Sequence, residues 1–135
     1  MTAPTLILTP QLAQAQEGKV IQGRGTGQLN CPSGSSPPGD EAIFFGADKF
    51  RGSILGDFFL QSQETGLSKE GTIFGGHISG KHFTLTGIES LDDLCSSQVP
   101  TTITITGQCG QGVPIQFRAS NGEQGQFTGN VACAK

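Results

Sequence analysis

The stretch TTITITGQC, from Thr101 to Cys109, decides the fold of this chain. Ile103 and Ile105 fall on one face of an extended backbone, while the threonines that alternate with them fall on the other face. This period of two, built from β-branched residues, predicts a half-buried β-strand. Residues 113–119 and 124–133 alternate in the same way. The strand needs such neighbours, because its backbone groups must be paired and its apolar face must be covered.

The alternating pattern recurs along the chain and predicts eight strands. No long amphipathic helical pattern separates them, so the crossover connections of a parallel sheet are not expected. With an even number of antiparallel strands the first can pair with the last, which predicts a small up-and-down β-barrel; a Greek-key β-sandwich is the alternative. The predicted strands are Lys19 to Asn30, Ala42 to Ala47, Ser53 to Gln63, Thr72 to Ile78, His82 to Glu89, Thr101 to Gly107, Val113 to Ala119 and Gln124 to Cys133.

Residues 72–89 carry the strongest hairpin signal. With Gly80-Lys81 as a two-residue type II′ turn, Ile78 lies opposite Phe83. In this register every apolar residue of the hairpin, Phe74 included, falls on one face.

The first predicted strand has a stripe of glycines on its core side, at Gly23, Gly25 and Gly27. Glycine weakens a strand, so such a stripe indicates that another backbone or a large ring lies against it. The stripe lacks the GxGxxG spacing of a dinucleotide-binding loop, and no helix pattern follows it, which argues against nucleotide binding.

The size and charge of the chain limit what it can be. Its 135 residues predict one β domain from residue 18 to 135, preceded by a flexible arm or leader remnant at residues 1–17. The formal net charge is -3 and no cluster of Lys or Arg occurs, which argues against nucleic acid as a partner. No apolar run approaches the length of a membrane helix, so we expect no membrane insertion, and we expect no cofactor.

Four cysteines without CxxC spacing predict two disulfides rather than a zinc site. In an up-and-down barrel Cys31 and Cys95 fall at one end while Cys109 and Cys133 fall at the other, so we predict these two pairs. A bond between Cys95 and Cys109 would require a different topology. Because disulfides persist outside the reducing cytosol, the sequence predicts a secreted or cell-surface protein.

The two histidines of the chain, His77 and His82, fall on one face of the predicted hairpin near its turn. Two imidazoles at this spacing could bind copper or zinc, although a metal normally takes a third or fourth ligand and the sequence shows none nearby. The alternative is a pair of solvated histidines.

The acidic stretch after the hairpin offers oxygen ligands for calcium from Glu89, Asp92 and Asp93, although not at the spacing of an EF-hand loop. Ser90 to Leu94 also predicts one helical turn with Ser90 as its N-cap, and a charged helix start would explain the same carboxylates.

Catalytic motifs such as GxSxG and HExxH do not occur. Residues that are distant in sequence can still converge, and Asp57, Glu64 and Arg118 are the candidates for such a group at the mouth of a barrel. An enzyme is therefore an alternative rather than the expected function.

Four stretches of the chain resemble small secreted proteins encoded by ammonia-oxidising archaea, a group without an assigned activity. The resemblance implies export and a β fold with two disulfides. It implies no catalytic or ligand-binding residue, and residues 40–71 have no counterpart in it. The stretches are GKVIQGRGTGQLNCP at Gly18 to Pro32, HFTLTGIE at His82 to Glu89, PTTITITGQCG at Pro100 to Gly110 and IQFRASNGEQGQFTGNVAC at Ile115 to Cys133.

Three functions fit these observations. The expected one is a non-enzymatic, disulfide-stapled module with a structural or binding role at the cell surface, where its neutral Thr, Gly and Gln surface would contact a cell-surface protein. A barrel that carries a small apolar ligand, in the manner of a lipocalin, is the second, and a small barrel isomerase or lyase is the third. A filled core with an uncharged outer face would favour the module. An interior cavity would favour the carrier, and polar groups that converge in a cleft would favour the enzyme.

Overall fold

Each strand pairs with the next along the chain, and the last strand pairs with the first. The computed structural model describes residues 19–134 and forms a closed barrel of eight antiparallel strands in sequence order. The predicted up-and-down barrel is therefore confirmed, whereas the predicted arm at residues 1–17 lies outside the described residues. The strands are β1 (Lys19–Asn30), β2 (Glu41–Phe50), β3 (Ser53–Ser62), β4 (Ser68–Ser79), β5 (His82–Asp92), β6 (Thr101–Gln108), β7 (Gly110–Ala119) and β8 (Gln124–Cys133).

Strands β4 and β5 are longer than the sequence pattern predicts. Lys69 pairs with Asp92, and Glu70 pairs with Leu91, so the ladder continues three residues beyond Glu89. The predicted helical turn at Ser90 to Leu94 is wrong, because its first residues belong to β5. Strand pairing is favoured over the helix cap here, because it places the carboxyl groups of Glu89 and Asp92 against the buried Lys69 on the neighbouring strand.

The β4–β5 hairpin turns at the predicted residues. Gly80 has a φ of 63°, as the first central position of a type II′ turn requires, and Ile78 pairs with Phe83. A bulge between Ile73 and Gly75 changes the register further along β4. As a result Ile73 faces the core, and Phe74, which the hairpin register predicts on the apolar face, is 50% exposed. An extra residue in one strand shifts its side-chain alternation, which a strict period of two does not anticipate.

Apolar side chains fill the interior of the barrel. Phenylalanines from different strands pack ring against ring, with centroids 5.6 Å apart for Phe45 and Phe83 and 5.8 Å apart for Phe58 and Phe117. Within residues 19–134 no helix is long and apolar enough to cross a membrane. The apolar side chains without exposure to solvent are Ile21, Leu29, Ile43, Ala47, Leu60, Ile73, Leu85, Ile103, Ile105, Ile115 and Phe117.

Strands β1 and β8 close the barrel along a seam of inward-facing glycines. A Cβ on Gly27 would overlap the carbonyl oxygen of Gln126, and a Cβ on Gly129 would overlap that of Arg24. At Gly23 the space is taken by the ring of Phe45. The prediction that a backbone or a large ring lies against the glycine stripe of β1 is therefore confirmed, because the β8 backbone lies against Gly27 and an aromatic ring lies against Gly23.

The two disulfides join the predicted pairs at opposite ends of the barrel. Cys31 is bonded to Cys95 with their Cα atoms 5.4 Å apart, and Cys109 is bonded to Cys133 with their Cα atoms 5.9 Å apart. The first bond ties the loop after β1 to the loop after β5, and the second ties the residue between β6 and β7 to the end of β8.

We predict that Gly27→Ala lowers the free energy of unfolding by about 2 kcal/mol or more, because the new methyl group meets the β8 backbone and the seam must open. Gly46→Ala is the matched control, since its nearest atoms would lie 3.7 Å from the new Cβ, an ordinary contact. Urea denaturation of both variants measures the difference. Equal midpoints would show that the seam does not require glycine at this position.

We also predict that removing the Cys31–Cys95 bond costs more stability than removing the Cys109–Cys133 bond. The first closes a loop of 64 residues and the second a loop of 24, which corresponds to about 4 and about 3 kcal/mol on the chain-entropy estimate. Paired Cys→Ala variants, unfolded in urea, give the comparison. The reverse order would mean that native-state contacts outweigh loop length.

Candidate functional site

Four charged side chains meet inside the barrel near the end that holds the Cys31–Cys95 bond. Lys69 comes from β4, Glu89 and Asp92 come from β5, and Glu123 comes from the turn between β7 and β8. The side chains of all four are fully buried. We call these four residues the buried charge cluster. Charged groups are almost never fully buried unless they are paired, so their common position is the least ordinary feature of the interior.

Lys69 lies at the centre of the buried charge cluster. Its Nζ donates to Oε1 of Glu123 at 2.6 Å, lies 3.2 Å from Oδ1 of Asp92, and lies 3.4 Å from both carboxyl oxygens of Glu89. The ring of Phe117 lies beneath the ammonium, with 6.0 Å between Nζ and the ring centroid. One cation is thus surrounded by three carboxyl groups in a space closed to water.

Asp92 is fixed by the loop that follows it. Its Oδ1 accepts the backbone N–H groups of Leu94 at 3.1 Å and Cys95 at 2.8 Å, and its Oδ2 accepts that of Ser97 at 2.9 Å. Burial acts to raise the pKa of Asp92, but these backbone hydrogen bonds and the charge of Lys69 outweigh it and hold the pKa below its ordinary value. Asp92 is therefore ionised at neutral pH.

Glu89 has the opposite protonation state. Burial is the largest influence on its pKa and outweighs the lowering by the charge of Lys69, and the charges of Glu123 and Asp92 act in the same direction as burial, so the pKa is raised to about 8. Glu89 is thus largely a neutral acid at pH 7 and is hydrogen-bonded to Glu123. The second oxygen of Glu123 accepts the side-chain N–H of Asn121 at 3.1 Å. With Glu89 protonated, the cluster contains one cation and two anions.

The cluster can exchange protons and present an amine to a carboxyl group, but a substrate has no access to it. Asp92, Cys95 and Glu123 are the one group of three potential metal ligands that lie close together within residues 19–134. The sulfur of Cys95 is bonded to Cys31, and the Lys69 ammonium contacts both carboxylates, so the position of a cation is already taken by a side chain. These residues do not suit a metal ion.

The residues predicted for calcium are only partly brought together. Glu89 and Asp92 point into the barrel and join the cluster, whereas Asp93 is exposed. The Lys69 ammonium lies against both inward carboxyl groups, where a calcium ion would have to bind. Lys69 itself is absent from the predicted sites. It lies in the polar run Ser68-Lys69-Glu70, which is typical of an exposed turn rather than of a buried strand.

His77 and His82 lie on the outer face of the β4–β5 hairpin, both exposed. His77 pairs with Thr84, and His82 pairs with Ser79, so the two imidazoles are diagonal to each other as the hairpin predicts. The described part of the chain places no third ligand beside them. The metal site at these histidines stays a prediction.

The three residues suggested for catalysis do not meet. Asp57 pairs with Thr72 between β3 and β4, Arg118 pairs with Thr104 between β6 and β7, and Glu64 lies in the loop after β3. All three side chains are exposed on the outside of the barrel. The wall of the barrel separates them from the polar groups inside it.

A fourth buried acid lies near the same end of the barrel, outside the buried charge cluster. Glu41, the first residue of β2, is fully buried, and its Oε1 accepts the backbone N–H of Leu29 at 2.8 Å. Its Oε2 has no hydrogen-bond partner within residues 19–134. Burial raises the pKa of Glu41, which favours the neutral form that such a position tolerates.

The outer wall of strands β5 to β8 and β1 carries a row of uncharged polar side chains. Each member pairs directly with the next across neighbouring strands, so the row is continuous over five strands. Threonines form one end of it, with Thr84 opposite Thr106 and Thr86 opposite Thr104. The row, which we call the neutral row, consists of Thr84, Thr106, Gln116, Gln126 and Gln28.

A groove open to solvent lies on the same wall, over β8, β1 and β2. Its volume is about 280 Å³. The small side chain of Ala42 leaves a depression, and the longer side chains around it form the sides. The ring of Phe44 is 43% exposed there. The lining, which we call the outer groove, comprises Arg24, Gly25, Thr26, Ala42, Phe44, Gln63, Thr128, Gly129 and Asn130.

Comparison with known proteins adds no relative, since no family model, curated protein or solved structure matches the chain. The resemblance to secreted archaeal proteins therefore stays a prediction.

We predict that Lys69→Met lowers the free energy of unfolding by about 3–5 kcal/mol, because buried carboxylates are then left without their cation. Lys81→Met, in the exposed turn of the β4–β5 hairpin, is the matched control and should change stability by less than about 0.5 kcal/mol. Urea denaturation measures both. A small effect at Lys69 would mean that the cluster is not needed for the fold.

Proposed function

We propose that the protein is a secreted, non-enzymatic β-barrel module with a structural or binding role at the cell surface, and that it acts through its outer wall. The observation that carries this proposal is the contrast between a filled, closed interior and a broad outer face of uncharged polar side chains.

The interior argues for this module over the other two functions. Side chains such as Phe58, Leu85 and Phe117 fill the space that a lipocalin-like carrier would leave for its ligand. The polar groups that converge inside are fully buried, whereas an enzyme would place them in a cleft that substrate can enter.

The outer wall has the chemistry of a contact surface. Gln28 of the neutral row donates its side-chain N–H groups to Gly39 and Asp40. The hydroxyl and amide groups of the other members can hydrogen-bond a partner without the large desolvation cost of ionised groups. The outer groove adds a defined position on this wall, with the Phe44 ring beside hydrogen-bond donors. Arg24, Thr26, Gln63 and Thr128 have side chains without a hydrogen bond or ion pair to any residue in the described range. These donors are free for a partner at the surface.

The disulfides support an extracellular setting. Two bonds that tie opposite ends of the barrel are compatible with an oxidising environment, and they would keep the module folded where chaperones are absent. Secretion itself is part of the proposal.

The proposal is tested by adding purified protein to washed envelopes of the cells that produce it. We predict that the wild type is retained in the envelope fraction and that the double variant Arg24→Ser, Phe44→Ser is retained about tenfold less, a loss of about 1.4 kcal/mol. The control is Asp57→Ser with Thr72→Ala, a directly paired outward couple on β3 and β4, outside the outer groove.

Two results would contradict the proposal. Wild-type protein that stays entirely in the wash would argue against a surface role, and native mass spectrometry of protein from its own source would then report a bound small molecule if it is a carrier. Equal retention of the wild type and the groove variant would leave a surface role but remove the outer groove as its contact site.

A further inference from the structure

We propose that Lys69 and Glu89 condense to an isopeptide bond inside the barrel, giving it a covalent cross-link beside its two disulfides. The reaction is autocatalytic, and the remaining members of the buried charge cluster supply its base and its electrostatic setting. The inference stands on the interior of the barrel and is independent of the function proposed for the outer wall.

The position of the Lys69 amine is the first argument. Its Nζ lies at the same distance, 3.4 Å, from both oxygens of Glu89. The nitrogen therefore contacts both oxygens of the carboxyl group whose carbon it would attack. Strand pairing and burial hold both side chains in place, and reacting groups held in this way reach effective molarities of about 10⁵–10⁸ M.

The protonation states are the second argument. An amine attacks a carboxylic acid but not a carboxylate, and burial raises the pKa of Glu89 to about 8, so that the acid form dominates at pH 7. The amine must also lose a proton, and the Glu123 carboxylate lies 2.6 Å from Nζ to accept it. Glu89 and Glu123 thus have different roles although they are chemically the same side chain.

The reaction balances within the cluster. The Lys69 ammonium gives one proton to Glu123, and the free amine attacks Cδ of Glu89, forming the C–N bond. A second nitrogen proton passes, by way of Glu123, to the hydroxyl group of Glu89, whose C–O bond breaks, and this hydroxyl leaves as water. The products are a Lys69–Glu89 amide, one water molecule and a protonated Glu123.

Removal of buried charge favours the products. Before condensation the cluster contains the charges of Lys69, Glu123 and Asp92, all without exposure to solvent. Afterwards only Asp92 is ionised, and three backbone N–H groups hold its charge. Buried ions are costly even when paired, so the exchange of an ion pair for an amide and a neutral acid relieves that cost.

The test is the intact mass of the full chain, purified and then reduced and alkylated at its cysteines. We expect the wild type to be lighter than its sequence by the mass of one water. Digestion with trypsin should leave the chain uncut after Lys69 and give a branched product that joins residues 52–81 to residues 82–118. Fragmentation of that product should place the branch at Glu89.

Three variants separate chemistry from folding. Lys69→Arg keeps a cation but removes the nucleophile, and Glu123→Gln removes the base but keeps the shape of the side chain and one acceptor oxygen. Each variant should therefore have the full mass while circular dichroism still shows a β fold. Glu70→Gln is the control, because this neighbour of Lys69 faces outwards and should retain the loss of water.

A full mass for the wild type would overturn the proposal. The cluster would then be ionic, and stability would fall as the pH rises from about 4.5 towards 8, because burial raises the Glu89 pKa from 4.5 to about 8 and the folded chain binds the extra proton. A branch that joins residues 52–81 to residues 119–135, or one at Asp92, would overturn the choice of Glu89 as the acceptor.

Discussion

The pairing of β1 with β8 is the constraint on which the rest of the structure depends. All other strand pairs join neighbours in sequence, but this pair joins the two ends of the described chain over ten residue pairs. It forms because glycines of both strands remove the side chains that would hold the backbones apart, as at Gly27 and Gly129. Once this seam is closed, every inward side chain faces a single enclosed space, and the core can be filled from all sides.

The closed wall also explains the protonation states of the charged side chains inside the barrel. A lysine and three carboxyl groups enclosed together cannot reach water, so they must neutralise one another through proton position and contact. Glu89 becomes a neutral acid, while Asp92 keeps its charge through the loop that it caps. The same loop is bonded through Cys95 to Cys31, so the cluster and the disulfide fix one end of the barrel jointly.

Much of the fold could be predicted from the sequence because its determinants are local. Alternation around Ile103 and Ile105, the Gly80-Lys81 turn and the alternating strand directions lead to the barrel and to both disulfides. The buried charge cluster could not be found in this way. Lys69 stands in a polar run, and its partners lie 20, 23 and 54 residues further along the chain, so only the closed fold shows that it is buried. The bulge beside Phe74 is likewise set by pairing rather than by composition.

The closure of the barrel affects how copies of the protein interact when they are concentrated. No sheet in the described chain ends in a strand with unpaired N–H and C=O groups, because β1 and β8 use theirs on each other. Open sheet edges are the templates through which proteins add foreign strands and begin to form cross-β aggregates. Copies of this barrel can therefore lie close together and touch through side chains alone, without their sheets merging.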